Sequence, residues 1–179
     1  LGPHLVDQAL VLFGPPETVQ ADLRVQRPGG STVDWFHAVL GYPTRQVIVS
    51  SSMLAADPAT RFLVRGTTGA AIKRGVDGQE QRLVAGERPG ADGWGRDPDP
   101  VRVTDGITSA ISERQTPAGN YLRYYAGVRD AIRGSGVPPV TPAQATAVMA
   151  VIEAGLHSSA DECVVRPEYT DEERAAFNH

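Results

Sequence analysis

Residues 17–27, ETVQADLRVQR, alternate between apolar and polar side chains along most of their length. The apolar positions are Val19, Ala21, Leu23 and Val25. Because successive side chains of a strand point to opposite faces of a sheet, this alternation predicts a strand with one buried face. The segment therefore favours a sheet as the framework of the fold.

The segments that follow carry the same signal and are separated by short turns. A strand is predicted near 33–42, with one face formed by Phe36, Ala38, Leu40 and Tyr42. Further strands are predicted at 45–54, 61–66, 70–75, 101–112 and 163–167. Short connections between consecutive strands are typical of antiparallel pairing. We expect one large, mostly antiparallel sheet of about six strands.

Three helices are expected to pack on one face of this sheet, which gives an α+β fold in a single domain over residues 1–179. The first occupies residues 1–14 and ends at Gly14-Pro15-Pro16. The second, at 120–133, begins at Asn120. Its predicted buried stripe is Leu122, Tyr125, Val128 and Ile132. The third begins at 141–144, TPAQ, a capping box with proline at the first helical position.

The second face of the strand at 33–42 is too apolar for bare solvent. It carries Trp35, His37 and Val39. Large apolar patches on soluble domains usually mark interfaces. We expect this uncovered sheet face to form a homo-oligomer.

Composition argues against several classes of partner. The formal net charge of the 179 residues is -4, and the arginines form no run, so nothing suggests binding to nucleic acid or an anionic membrane. No apolar stretch approaches the ~20 residues that span a bilayer. The single cysteine, Cys163, has no partner for a disulfide or a paired metal motif, so we expect a cytoplasmic protein without a metal site.

The first helix carries the candidate catalytic residues. In GPHLVDQAL, residues 2–10, His4, Asp7 and Gln8 lie three and four positions apart and share one helix face. A histidine on a helix is often only a structural hydrogen-bonding group, so spacing alone leaves catalysis open. The helix starts without a cap or an initiator methionine, and we expect the chain to be part of a larger protein.

Three segments together resemble a known family. They are GPHLVDQAL at 2–10, LVRGTTGAAIKRG at 63–75 and the long helical stretch at 119–162. The chain resembles the carboxy-terminal domain of the glucose–fructose oxidoreductase / inositol dehydrogenase / MocA superfamily over nearly its whole length. That family carries a D-x-x-x-H-x-x-D helix; His4 and Asp7 match its second and third positions, and the first would fall immediately before Leu1.

The resemblance implies a parent that oxidises a sugar, a polyol or a related hydroxy compound with NAD or NADP. His4 would accept or relay the hydroxyl proton, while Asp7 would either take part directly or only hydrogen-bond nearby. The family's amino-terminal dinucleotide-binding domain and its E-K-P lysine have no counterpart in this sequence. We therefore expect this chain alone to bind no dinucleotide and to be inactive.

Two questions stay open at the level of sequence. Residues 76–100 form a long Gly- and Pro-rich loop, in which Trp94 and Arg96 are candidate substrate contacts or merely order the loop. The alternative to an enzyme is a noncatalytic sugar-sensing or regulatory module of the same superfamily. The substrate, the choice between NAD and NADP, and the choice between dimer and tetramer are not specified by this sequence.

Overall fold

The computed structural model describes residues 2–56 and 60–177. Contacts divide the chain into two compact units: unit 1 comprises Leu1–Ala56 with Val140–His179, and unit 2 comprises Asp57–Pro139. The single domain expected over residues 1–179 stays a prediction.

Seven strands and five helices are formed within the described residues. In chain order they are α1 Gly2–Phe13, β1 Thr18–Arg24, β2 Trp35–Tyr42, β3 Arg45–Ser52, β4 Phe62–Arg65, β5 Gly69–Lys73, α2 Gln79–Val84, β6 Val101–Asp105, β7 Ile111–Arg114, α3 Tyr121–Ile132, α4 Pro142–Asp161 and α5 Asp171–Ala175. The α+β class is confirmed, since every strand pair is antiparallel.

The prediction of one six-stranded sheet is wrong. Unit 1 holds a three-stranded sheet in the order β1-β2-β3, and unit 2 holds a four-stranded sheet in the order β4-β5-β6-β7. The strand expected at 101–112 is in fact the hairpin β6-β7. Asp105 makes the turn, because its Oδ1 accepts hydrogen bonds from the backbone N–H groups of Ile107 and Thr108.

Unit 1 has its core on one face of its sheet. The register pairs Val19 with Leu40 and Ala38 with Val49, so the predicted apolar faces of β1 and β2 coincide. Helices α1 and α4 pack on this face. The buried core residues are Val6, Ala9, Leu10, Val19, Ala38, Leu40, Val49, Ala147, Val148, Val151, Ala154 and Phe177.

Helix α4 begins as predicted, with the full capping box of Thr141 and Gln144. Near its other end, the hydroxyls of Ser158 and Ser159 accept hydrogen bonds from the backbone N–H groups of Ala21 and Leu23 at 2.9 and 3.0 Å. These N–H groups lie on the free edge of β1, which would otherwise be an unpaired strand edge. The strand expected at 163–167 shortens to one antiparallel bridge, Val19 with Val165, on the same edge.

Two helix predictions differ from the structure. Helix α3 begins at Asn120 as expected, but it contains no buried residue: Tyr125 is 67% and Ile132 82% exposed. The predicted buried stripe is therefore wrong. The acidic segment after residue 169 is a short helix, α5, with a capping box of Thr170 and Glu173 that the sequence analysis missed.

Candidate functional site

The candidate catalytic face of α1 is turned away from the core of unit 1. Val6, Ala9 and Leu10 are buried, whereas His4 is exposed and Asp7 is half-buried on the other side of the helix. Within the described residues, no hydrogen bond or ion pair involves the side chain of either His4 or Asp7. The imidazole is thus not used in the packing of this unit.

The end of α1 is fixed by its connection to β2. Gly14 adopts a φ of 76°, a left-handed conformation that favours glycine, and its N–H donates to the carbonyl of Leu10. The Tyr42 hydroxyl donates a 3.0 Å hydrogen bond to the carbonyl of Gly14. Burial raises the pKa of Tyr42 to about 12, so this donor stays protonated at neutral pH. The helix that carries His4 is therefore held at its carboxyl end.

One buried polar atom lies close to the candidate residues in sequence. The Oε1 atom of Gln8 is buried and has no hydrogen-bond partner among the described residues. Gln8 is one helical turn after His4, so both lie on the same face of α1. An unsatisfied buried acceptor is costly and calls for a partner.

The second candidate region, the loop at 76–100 of unit 2, is anchored by buried side chains. Trp94 is 5% exposed, and its indole N–H donates a 2.9 Å hydrogen bond to Oε1 of Gln79. The same oxygen accepts the backbone N–H of Tyr121, while the Gln79 amide nitrogen donates to Asp77. Trp94 therefore orders the loop, and its burial leaves little surface for a substrate.

Gly95, which follows Trp94, is held by close contact with the backbone of Gly119. The N–H of Gly119 donates to the carbonyl of Gly95 at 2.9 Å, and a Cβ added at Gly95 would collide with the backbone of Gly119. The Arg82 guanidinium stacks 5.1 Å from the Trp94 ring and donates to the carbonyl of Gly93. Residues 93–95 are thus fixed on several sides.

A buried charge cluster anchors the far end of the loop. Nζ of Lys73 lies 3.0 Å from Asp97 and 2.9 Å from Asp99, and the side chains of Lys73 and Asp97 are each 8% exposed. Burial lowers the pKa of Lys73, but the hydrogen bonds that its ammonium donates to Asp99 and Asp97 outweigh this and raise the pKa above its ordinary value. Lys73 is therefore a fixed cation, committed to the loop.

Arg96 stands between these two anchors. It is exposed, whereas Trp94, Gly95 and Asp97 are buried. In the part of the chain that the structure describes, no carboxylate pairs with Arg96. The loop thus presents the guanidinium of Arg96 from a well-anchored backbone. His4 and Asp7 lie on one helix of unit 1 and form one candidate site. Arg96 belongs to unit 2 and is a separate candidate.

The described residues form no site of the kind at which nicotinamide dinucleotides usually bind. Such cofactors bind at the turn between a parallel strand and the following helix, and both sheets here are antiparallel. Residues 2–56 and 60–177 contain no group of three potential metal-ligating side chains of the His, Cys, Asp and Glu types. Over the same residues, no helix has the length and apolar character needed to cross a bilayer.

Fold and site together define a class: an α+β domain with antiparallel sheets, in which an unengaged histidine lies on the outer face of the first helix. The chain belongs to the oxidoreductase family represented by the GFO_IDH_MocA_C model, described as the C-terminal alpha/beta domain, which matches residues 1–166. The resemblance seen in the sequence is confirmed.

Characterised and uncharacterised relatives agree with this assignment. The chain is 43% identical to the uncharacterized oxidoreductase YdgJ of Escherichia coli (strain K12), over 89% of this chain and 46% of YdgJ. It is 35% identical to the NADP(+)-dependent scyllo-inositol 2-dehydrogenase IolW of Bacillus subtilis (strain 168), over 94% of this chain and 48% of IolW. The chain thus spans about half the length of these relatives.

Solved structures share the fold. A provisionally assigned oxidoreductase from Klebsiella pneumoniae superimposes with a TM-score of 0.89 at 43% identity, covering 99% of this chain and 50% of that one. An oxidoreductase from Bacillus cereus superimposes with a TM-score of 0.76 at 29% identity, covering 93% of this chain and 51% of that one. This chain therefore superimposes on about half of each of these structures.

Proposed function

We propose that this chain is the substrate-binding and dimerisation domain of a nicotinamide-dependent oxidoreductase that acts on a sugar, a polyol or a related hydroxy compound. The observation that carries the proposal is His4: an exposed imidazole, unused by the packing of its own unit, on a helix that matches the family motif.

The cofactor chemistry belongs to the rest of the parent. NAD or NADP would take up the hydride there, and the NADP(+) dependence of IolW favours NADP as the first cofactor to test. Scyllo-inositol, the substrate in the name of IolW, is likewise the first substrate to test.

This chain would handle the proton. Oxidation of an alcohol needs a base for the hydroxyl proton, and the imidazole of His4 would accept it. Asp7, one turn further along the same face, would orient the imidazole or the substrate. Arg96, in the anchored loop of unit 2, stays a separate candidate and is given no role at the His4 site.

The outer face of the β1-β3 sheet is proposed as the dimer interface. The register places Trp35, His37, Val39 and Ile48 on this face, opposite the core. Ile48 is 61% exposed in this chain. Trp35, His37 and Val39 are half-buried. An apolar face of this kind fits a second copy of the same face. We also propose a cytoplasmic location, in keeping with a single unpaired cysteine.

The experiment uses the full-length parent. Reduction of NADP and NAD is followed with scyllo-inositol and a panel of sugars and polyols, and His4→Ala is compared with wild type. We expect kcat to fall by a factor on the order of 10²–10⁴, the usual contribution of a positioned acid or base. The pH limb near neutrality should be lost or displaced. His157→Ala, an exposed histidine on α4, is the matched control and should leave kcat unchanged.

Two results would contradict the proposal. Turnover by His4→Ala at the wild-type rate over the whole pH range would remove His4 from the mechanism. Binding of a sugar without turnover with either cofactor would favour the alternative, a noncatalytic sugar-sensing or regulatory module.

A further inference from the structure

Unit 1 contains an apolar cavity between its sheet and its two main helices. Its volume is about 260 Å³. The walls come from the core face of β1, β2 and β3 and from α1 and α4, and include Val6, Leu40 and Val151. Since an apolar cavity of about 150 Å³ accommodates a benzene molecule, this one has room for large apolar side chains.

The mouth of the cavity is apolar as well. Three of its lining residues are exposed: Val33 before β2, Met53 after β3 and Leu156 on α4. The one charged group in the lining is Asp34, and its carboxylate oxygens accept the backbone N–H groups of Gln26 and Arg27 at 2.7 and 2.9 Å. That carboxylate is therefore committed to its own loop. The chemistry of the cavity selects an apolar occupant.

The start of α1 lies at the wall of this cavity. Gly2, the first residue of α1, is among the lining residues. The family model describes a C-terminal domain, and the relatives are about twice as long as this chain. In a parent of that length, polypeptide reaches α1 beside the cavity, and a few extended residues at about 3.3 Å each span its mouth.

We propose that the cavity is the seat of the segment that directly precedes Leu1 in the parent, which inserts apolar side chains between β2, β3 and α4. This inference rests on the proposed function, because it takes the chain to be the carboxy-terminal half of a longer oxidoreductase. The seated segment would close the core of unit 1 and fix the amino end of α1. His4, two residues after Gly2, would be held from that end.

The two methionines of the chain provide a matched test. Met53 lines the cavity and is 58% exposed, whereas Met149 is outside the lining and is 55% exposed. Full-length parent is treated with hydrogen peroxide, native and in urea, and the oxidation of each methionine is followed by peptide mass spectrometry. Because oxidation requires access, we expect the native fold to protect Met53 about tenfold or more relative to Met149.

The outcomes separate the possible occupants. Equal protection of the two methionines would overturn the proposal. Protection of Met53 that disappears on dilution to monomers would assign the cavity to a second copy, and protection lost on refolding from urea and dialysis would assign it to a small apolar ligand; both contradict the seated segment. Protection that persists through both treatments supports it.

A substitution at the mouth of the cavity provides a second test of the seated segment. Leu156→Glu in the parent would place a charge against the seated segment and should lower the urea midpoint, whereas Met149→Glu, on the same helix, should change it little. Equal midpoints for the two variants would contradict the proposal. Neither measurement depends on turnover. An active parent in which Met53 is unprotected would contradict this inference alone. An inactive parent in which Met53 is protected would contradict only the proposed function.

Discussion

The indole nitrogen of Trp94 lies 2.9 Å from Oε1 of Gln79, and both side chains are buried. This pair joins the later part of the region 76–100 to Gln79, the first residue of α2 within the same region. The same Gln79 oxygen also accepts the N–H of Tyr121, the first residue of α3. One amide side chain therefore connects three segments of unit 2, and the loop is built around it.

Trp94→Phe should destabilise the parent by about 1 kcal/mol, the usual net value of a single hydrogen bond. The aromatic ring can still pack, but the donor to Gln79 is lost. Urea unfolding measures the change. Trp35→Phe is the control, because no hydrogen bond from the Trp35 indole to a described residue is formed; a loss as large as that of Trp94→Phe would argue against the importance of the pair.

Ser158→Ala should destabilise by about 1–3 kcal/mol, because it leaves two part-buried backbone groups without their hydrogen-bond partner. The Ser158 hydroxyl accepts the N–H of Ala21 and donates to the carbonyl of Cys163 at 2.6 Å. Equilibrium unfolding checks this prediction. Ser50→Ala, at an exposed position of β3, should be close to neutral, and similar losses at both sites would show that the edge of β1 does not depend on Ser158.

The hydrogen bonds to the Asp99 carboxylate should make the stability of the folded state depend on pH. The N–H of Gly75 and the ammonium of Lys73 donate to its carboxylate and lower its pKa below the ordinary value of 3.8. A lowered pKa in the folded state means that the stabilisation is fully present above the unfolded value and is lost as pH falls through the folded one.

The measurement compares Asp99→Asn with wild type in thermal melts across pH. The variant should be less stable near neutrality, and the difference should shrink as pH falls below about 4. Asp92→Asn, at an exposed position of the same loop, is the control. A difference between wild type and Asp99→Asn that is constant down to strongly acidic pH would contradict the ionic role of Asp99.

Ile48→Glu tests the proposed dimer. The substitution puts a charge at the centre of the outer face of the β1-β3 sheet, next to Val39 in the register. Light scattering of the parent should then report a monomer. Val164→Glu, similarly exposed at 57% but outside strands β1, β2 and β3, should keep the wild-type mass. An unchanged oligomeric mass for Ile48→Glu would contradict an interface on this face.

The sequence alone determined the local elements well where a local signal exists. Alternation predicted β1 and β2 and the correct buried faces, because the side-chain period of a strand is fixed by the backbone. The capping box at Thr141 and the cap at Asn120 placed two helix starts, since these hydrogen bonds form within one turn. The family motif in α1 identified His4 and Asp7, whose roles remain predictions.

Tertiary structure decided how the elements combine. Within residues 2–56 and 60–177, seven strands form two sheets rather than one, because strand partners are chosen by contacts between distant residues. The edge of β1 is closed by Ser158 and Ser159, more than 130 positions away. In unit 2, the tertiary structure likewise decided which side chains are covered. Helix α3 is amphipathic in sequence, yet its apolar stripe is exposed, and Trp94, a candidate substrate contact by sequence, is buried on Gln79. Periodicity specifies which face of an element is apolar, but only the packing of the chain determines whether something covers it.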